Sequence, residues 1–255
     1  MKRFIRLLYG FAAYTVAMGS LLYAVGFTGN FIVPKSIDIG GEAPLSEALV
    51  IDLVLLGVFA LQHSVMARRG FKRWWTGYVP QPIERSTYVL FASAALILLF
   101  WLWRPMPSPV WSIDNPGLRQ VVMALFWAGW VLVPLSTFLI NHFELFGLQQ
   151  VVNHLRNRET AEPDFKTPGL YRVVRHPIYL GLIVAFWSAS DMTLGHLVFA
   201  AASSAYILIG IALEERDLVD RFGERYLQYR REVRMLLPWP RRSNPDAVLL
   251  GEKAE

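Results

Sequence analysis

Cysteine is missing from the 255-residue chain, which removes disulfides, thiolate metal sites and a cysteine nucleophile from consideration. Charge is also sparse. Asp, Glu, Lys and Arg make up 18% of the residues and apolar types 54%, above the roughly 45–50% apolar content of soluble domains. With a mean hydropathy of +0.35, a lipid solvent is the first possibility to test. The net charge of +5 points to nucleic acid only if the basic residues share one solvated face; they are scattered between apolar runs, so no nucleic-acid partner is expected. No repeat, low-complexity tract or flexible linker is visible, which predicts one membrane-embedded domain over 1–240 and a polar tail over 241–255.

A bilayer core needs about 20 consecutive apolar residues per helical span. Runs that approach this length occur at Phe4 to Phe27, Leu45 to Met66, Ser86 to Trp103 and Val121 to Ile140. Two more follow, a short one from Ile178 to Ala189 and a longer one from Gly195 to Leu213, separated by Ser190-Asp191. The pattern predicts an all-α polytopic membrane protein of about six spans, the last two a helical hairpin. Lys2, Arg3 and Arg6 ahead of the first run also resemble a signal peptide, but five further runs behind it favour a span.

Lys and Arg accumulate in cytoplasmic loops. The N-terminus carries three, 67–85 five, 141–175 five and the region after Leu213 nine, whereas the opposite loops hold only Lys35, Arg104 and Arg119. This 22-to-3 division places both termini in the cytoplasm and accounts for the basic pI without nucleic acid.

Polar groups at membrane depth cost several kcal/mol unless they are paired or line a cavity. Asp52 and His63 lie eleven positions apart, about three turns, and so point the same way along the second span. Gln62 and His63 stand near its cytoplasmic end, where a snorkelling role competes with a site role. Thr137, Asn141 and Glu144 share one face, with His142 beside them, and read either as a cavity lining or as an interfacial cap. Trp74, Trp75 and Tyr78 suit an interfacial aromatic belt. Glu84 and Arg85 open the third span, as terminal charges or as site groups.

The stretch from Leu170 to Gly181 joins a cytoplasmic loop to the fifth run. Pro177 suits the first helical turn, which leaves Arg175 and His176 beside free backbone donors at a positive dipole end. Gly181 lets a ligand or a neighbouring helix come close. At the far end of the hairpin, Glu214 and Glu215 have no cation three or four positions away along their helix, so an outside partner is needed. Asp217 and Arg221 read as an ordinary i,i+4 pair. Leu218, Phe222, Tyr226, Tyr229 and Val233 repeat at helical spacing, predicting a basic amphipathic helix at the cytoplasmic interface, able to roof a site.

Arg175-His-Pro-x-Tyr-x-Gly181, a hairpin of about 35 residues, Glu214-Glu-x-x-Leu218 and Phe222-Gly-x-x-Tyr-x-x-Tyr229 together resemble the isoprenylcysteine carboxyl methyltransferase and phospholipid methyltransferase superfamily. The resemblance implies that Arg175, His176, Tyr179 and Gly181 hold the methionine end of S-adenosylmethionine, while Glu214, Glu215, Tyr226 and Tyr229 close round ribose and adenine. No strand-borne Gly-x-Gly-x-x-Gly is present, so the chain is no soluble Rossmann-type methyltransferase. In the N-terminal part, Val33 to Asp38, Leu61 to Arg68, Phe71 to Trp75, Ile83 to Tyr88 and Ser136 to Gly147 look like the bacterial methanethiol S-methyltransferases, and in part like NnrU-like proteins. The resemblance implies methyl transfer from S-adenosylmethionine, without a metal, to a small thiol at the inner membrane of a bacterium.

A thiol needs a base or a positive field to react at neutral pH, because even a cysteine thiol titrates near 8.5. His142 and His63 are the candidate bases, with His142 preferred, Arg85 a candidate cation, and Glu144 and Asn141 the polar groups beside them. A lipid or prenyl acceptor, or a non-catalytic assembly or transport role, are the alternatives. The charge division gives a first prediction: reporters fused after Glu255 and inserted near Asp38 fall on opposite sides of the membrane, the former in the cytoplasm. Both on one side would exclude the six-span reading.

Overall fold

The structure, a computed structural model, describes residues 1–41, 43–159 and 164–238; the tail expected at 241–255 lies outside them. The elements are α1 (Lys2–Gly29), α2 (Leu45–Ala67), α3 (Arg69–Trp75), α4 (Gln81–Leu102), β1 (Pro109–Ser112), α5 (Pro116–Ile140), α6 (His142–Leu145) and α7 (Leu148–Leu155). A 3-10 turn (Gly169–Arg172), α8 (Pro177–Trp187), β2 (Asp191–Thr193), α9 (Leu194–Phe222) and α10 (Glu224–Glu232) complete the order. In lipid a backbone must satisfy its own polar groups, so long apolar runs wind into helix. Among the described residues, five helices are long and apolar enough to cross a membrane: α1, α2, α4, α5 and α9. The protein is an integral membrane protein.

Two expectations change. The fifth run forms only the 11-residue α8, about 16 Å at 1.5 Å per residue, half of a ~30 Å hydrocarbon core. It stops because Ser188 to Ser190 leave the helix and Asp191–Thr193 pair antiparallel with Pro109–Ser112. The fold is therefore not purely α: a two-stranded ribbon caps one end of the bundle, held by the ion pair of Arg119 with Asp191 at 2.5 Å and by Ser112 Oγ donating to the same carboxylate at 2.6 Å. Those donors keep the Asp191 carboxyl low, at about 2.

At this ribbon end, Asp52 is fully buried and accepts from the Arg104 backbone N–H at 2.9 Å. The Trp103 indole N–H donates to the Ile37 carbonyl at 3.0 Å. Asp52 thus belongs to the joint between α2 and the end of α4, about three turns from His63.

α2 packs on α4 and α9, α1 on α4, and α8 chiefly on α5. The α5–α8 crossing is set by paired glycines. A Cβ on Gly181 would come 2.7 Å from the Gly129 carbonyl oxygen, and one on Gly129 would come 2.6 Å from that of Gly181. Backbones approach this closely only across glycine. Gly181 therefore packs helices, the structural one of its two expected uses. The C-terminal helix is also shorter than expected, because Gly223 takes φ +56° and breaks the run into α9 and α10. The tyrosines of α10 turn inward: Tyr229 stands 5.3 Å from Phe165 between ring centres, and its hydroxyl donates to the Tyr171 carbonyl at 2.5 Å.

Overpacking a tight crossing costs about 1–3 kcal/mol. Gly129→Ala is therefore expected to lower the thermal midpoint in detergent, whereas Gly19→Ala, with nothing within 4 Å of the new carbon, is not. Equal midpoints for the two variants would contradict the glycine crossing.

Candidate functional site

The end of the bundle opposite the ribbon gathers the motif residues. Arg175 and His176 precede α8, whose first residue is Pro177, and Glu215 stands six turns along α9 on the face that carries Ile207 and Ile211 into the core. Arg175 Nε donates to Glu215 Oε1 at 2.7 Å, and His176 Nε2 lies 3.0 Å from the same oxygen. Arg230 Nε reaches Glu215 Oε2 at 3.2 Å. Arg175 Nη1 also donates to the Val233 carbonyl at 2.5 Å, and the Arg175 and His176 backbone N–H groups donate to the carbonyls of Arg234 and Met235. Arg175, His176 and Glu215 are all buried.

The partner that Glu215 lacks along its own helix is thus supplied from two distant segments of the same chain, α10 and the residues before α8. This closed cluster staples the chain after α10 to the start of α8, and its buried charges are each matched, as burial requires. Tyr226 and Tyr229 pack below it with Phe165. Burial pushes the Tyr229 hydroxyl up to about 12, so it remains a proton donor to Tyr171. These two tyrosines fasten α10 to Phe165 and Tyr171.

Glu214, one residue earlier and about 100° round the helix, is exposed and does different work. Tyr179 Oη donates to its Oε2 at 2.9 Å. On the same side of α9, Tyr206 Oη lies 3.2 Å from Ser64 Oγ of α2. His63 of α2 is hydrogen-bonded to Tyr88 of α4, 2.9 Å from Nε2, and stacks on Phe59 at 5.3 Å. Arg85 lies over the Tyr88 ring, 4.9 Å from its centre, with its Nε donating to the Leu145 carbonyl at 2.8 Å. Tyr88 and Tyr179 each lie within electrostatic reach of Tyr206 and Glu214. The structure therefore brings His63 and Arg85 to the Tyr179–Glu214 pair and adds Tyr88, Tyr206 and Ser64, which sequence reasoning did not single out. Tyrosine hydroxyls at membrane depth within apolar runs were the available signal.

His142 stands apart. It is buried, with Nε2 2.9 Å from Tyr14 Oη and Nδ1 2.8 Å from Thr137 Oγ1, and its ring stacks 4.1 Å from Phe138. Burial lowers its basicity, and both nitrogens are engaged by hydroxyls of α1 and α5. Asn141 Oδ1 accepts from the Glu144 backbone N–H while its amide donates to Glu144 Oε2 at 2.8 Å. These two cap the four-residue α6, so the interfacial-cap alternative describes them. Asp217, expected to pair with Arg221, makes its ion pair with Arg68 of α2 at 3.1 Å.

On the other flank of α9, a groove of about 310 Å³ is lined by Leu208, Ala212, Glu215, Arg216, Arg230 and Met235, among others. Its floor is apolar and its rim basic.

A membrane helix bundle with a motif-built cluster of polar side chains at the end of its last span, stapled to the C-terminal segment, is the class that fold and site define. The NnrU protein family model matches residues 52–216. The chain is 59% identical over 239 residues to methanethiol S-methyltransferase 1 of Bradyrhizobium diazoefficiens, covering 94% of this chain and 84% of the relative. It is 55% identical to the methanethiol S-methyltransferase of Mycobacterium tuberculosis, covering 95% and 99%, and 51% identical to that of Crocosphaera subtropica, covering 94% of each. The chain belongs to the NnrU protein family and, within it, to the methanethiol S-methyltransferases.

Removing one partner from a buried ion cluster costs about 3–5 kcal/mol, while an exposed hydrogen bond is worth about 0.5–1.5. Glu215→Ala is thus expected to unfold at markedly lower denaturant than Glu214→Ala in the purified, detergent-solubilised protein. Similar midpoints would remove the distinction between the two glutamates.

Proposed function

We propose that the protein is an S-adenosylmethionine-dependent methyltransferase that converts methanethiol to dimethyl sulfide at the cytoplasmic face of a bacterial inner membrane. The observation that carries this reading is identity of 51–59% over more than nine-tenths of the chain with methanethiol S-methyltransferases. The 22-to-3 division of basic residues supports a cytoplasmic site, where a soluble donor is at hand. In this reading the six-span arrangement takes α8 and the ribbon as a half-length hairpin arm that returns the chain to the start of α9.

The donor fits the residues present. Glu214 is exposed and takes one hydrogen bond, from Tyr179, which leaves acceptor capacity for an ammonium or ribose hydroxyls. Tyr179, Tyr206 and Tyr88 offer ring faces that attract a sulfonium as they would any compact cation. Arg175, His176 and Glu215 act through the staple, which fixes α10 and the chain following it beside the donor. S-adenosylmethionine, when bound, supplies an electrophilic methyl group on positively charged sulfur.

The protein then has three tasks. It holds the thiol sulfur in line with the methyl carbon at about 3–3.5 Å, removes the thiol proton and keeps water out. His63 is the base in this reading: it lies beside Tyr88 and Arg85, and the single Tyr88 hydroxyl is the hydrogen-bond partner of its ring, whereas the two nitrogens of His142 are held by separate hydroxyls of α1 and α5. The thiol proton moves to His63, a new carbon–sulfur bond forms as the sulfonium carbon–sulfur bond breaks, and a neutral thioether leaves each side. The Arg85 guanidinium favours the thiolate. An apolar surround accelerates a step in which both charges disappear, since desolvation weakens their ground-state stabilisation.

Membranes supplied with S-adenosylmethionine and methanethiol are expected to release dimethyl sulfide, faster as pH rises and more thiolate forms. His63→Ala is expected to lower kcat by about 10²–10⁴ with S-adenosylhomocysteine affinity nearly unchanged. A folded, donor-binding preparation that forms no dimethyl sulfide but methylates a prenylcysteine or phospholipid would replace this reading with the lipid-acceptor one.

A further inference from the structure

Five described glycines would place a Cβ in open space: Gly19, Gly57, Gly70, Gly210 and Gly223. Four are exposed, as expected for positions facing lipid or water. Gly210 is the exception among the described residues: it is not exposed, yet a Cβ there would meet nothing within 4 Å. A partly covered glycine without neighbours, set between two contacts of its helix with α2, marks open space rather than a tight contact.

The surroundings define that gap. Gly210 lies one turn from Tyr206 and one turn from Glu214 on α9. α2 touches α9 on both sides of it, through Ser64–Tyr206 at 3.2 Å towards the bilayer centre and Arg68–Asp217 at 3.1 Å towards the basic end. His63, one residue before Ser64 on α2, is bonded to Tyr88 of α4, and Tyr179 of α8 is bonded to Glu214, one turn beyond Gly210. Glu214 is exposed, so the space is reached from the basic end. Tyr206, held by Ser64 and standing edge-on to Phe59 with ring centres 6.2 Å apart, crosses its inner end.

We infer that the gap at Gly210 is the acceptor pocket and that Tyr206, braced by Ser64, is its floor, so that the pocket accepts a thiol of one or two carbons and rejects a long alkyl or prenyl chain. This rests on the proposed methyl transfer to a thiol. The absent side chain at 210 leaves room for sulfur and methyl beside His63, and the Tyr206 ring stops any chain from continuing between α2 and α9. The small size of the acceptor therefore follows from two side chains, one missing and one in the way. Both would be neutral choices on an ordinary packed span.

The test pairs a filled pocket with an opened one, using full-length protein in membranes or nanodiscs. Gly210→Val is expected to raise KM for methanethiol at least about tenfold, since a single methylene in a hydrophobic pocket is worth about 10–200-fold, while S-adenosylhomocysteine affinity stays within about twofold. Tyr206→Ala is expected to shift preference the other way, raising kcat/KM for 1-butanethiol relative to methanethiol by about tenfold or more. A single gel-filtration peak and a thermal midpoint in detergent close to that of unmodified protein establish that each variant is folded. If unmodified protein makes dimethyl sulfide and both variants keep its chain-length preference, the pocket assignment is wrong and the proposed function stands. If unmodified protein methylates no thiol, the proposed function fails and takes this inference with it.

Discussion

Glu215 sits at the membrane boundary with its carboxylate shared among Arg175, His176 and Arg230 at 2.7, 3.0 and 3.2 Å. A lone carboxylate at that depth is untenable, and an unpaired arginine equally so. Each therefore obliges the other to be present, and the obligation reaches three parts of the chain: the start of α8, the end of α9 and the residues after α10. Because Arg175 also donates to the Val233 carbonyl, the staple draws the C-terminal segment under the mouth of the site. The half-length of α8 follows the same logic. Its N-terminal end is tied to Glu215 and its C-terminal end to the ribbon, and the Gly129–Gly181 crossing presses it into α5.

Adjacent glutamates thereby acquire opposite roles. Glu215 is consumed by internal pairing. Glu214, turned about 100° away, stays exposed and engages only Tyr179 among the hydrogen bonds of the described residues. α9 thus divides two environments: a cluster of tyrosine hydroxyls with His63 on one flank, and on the other the groove with Leu208 and Ala212 on its floor and Arg216 and Arg230 on its rim. Chemistry that abolishes charge suits the first, where ring faces can accept a cation and a histidine can accept a proton.

Much of this was legible in the chain. The long apolar runs became helices close to their expected limits, and the Arg175–Gly181 and Glu214–Glu215 blocks met at one end. Helical spacing also exposed the question that mattered, since it showed that Glu215 had no partner on its own helix. It could not reveal that the partner was Arg175, forty positions earlier, because only the tertiary fold brings them together. The partners of His142 were hidden for a related reason: a histidine beside Asn141 and Glu144 reads as site polarity, whereas the hydroxyls that hold its ring belong to Tyr14 and Thr137, one of them on α1. Gly181 and Gly210 look alike in sequence. One meets a backbone carbonyl at 2.7 Å and the other meets nothing, and only the neighbouring helix decides which.

The account turns on which flank of α9 receives the donor. A structure of the protein with S-adenosylhomocysteine bound would decide it. The account predicts the sulfur among Tyr88, Tyr179 and Tyr206, facing His63 across a space large enough for a thiol sulfur and one methyl group, with Glu215 still joined to Arg175. Sulfur lying instead against Leu208 and Ala212, or Glu215 released from Arg175 to bind the nucleoside, would contradict it.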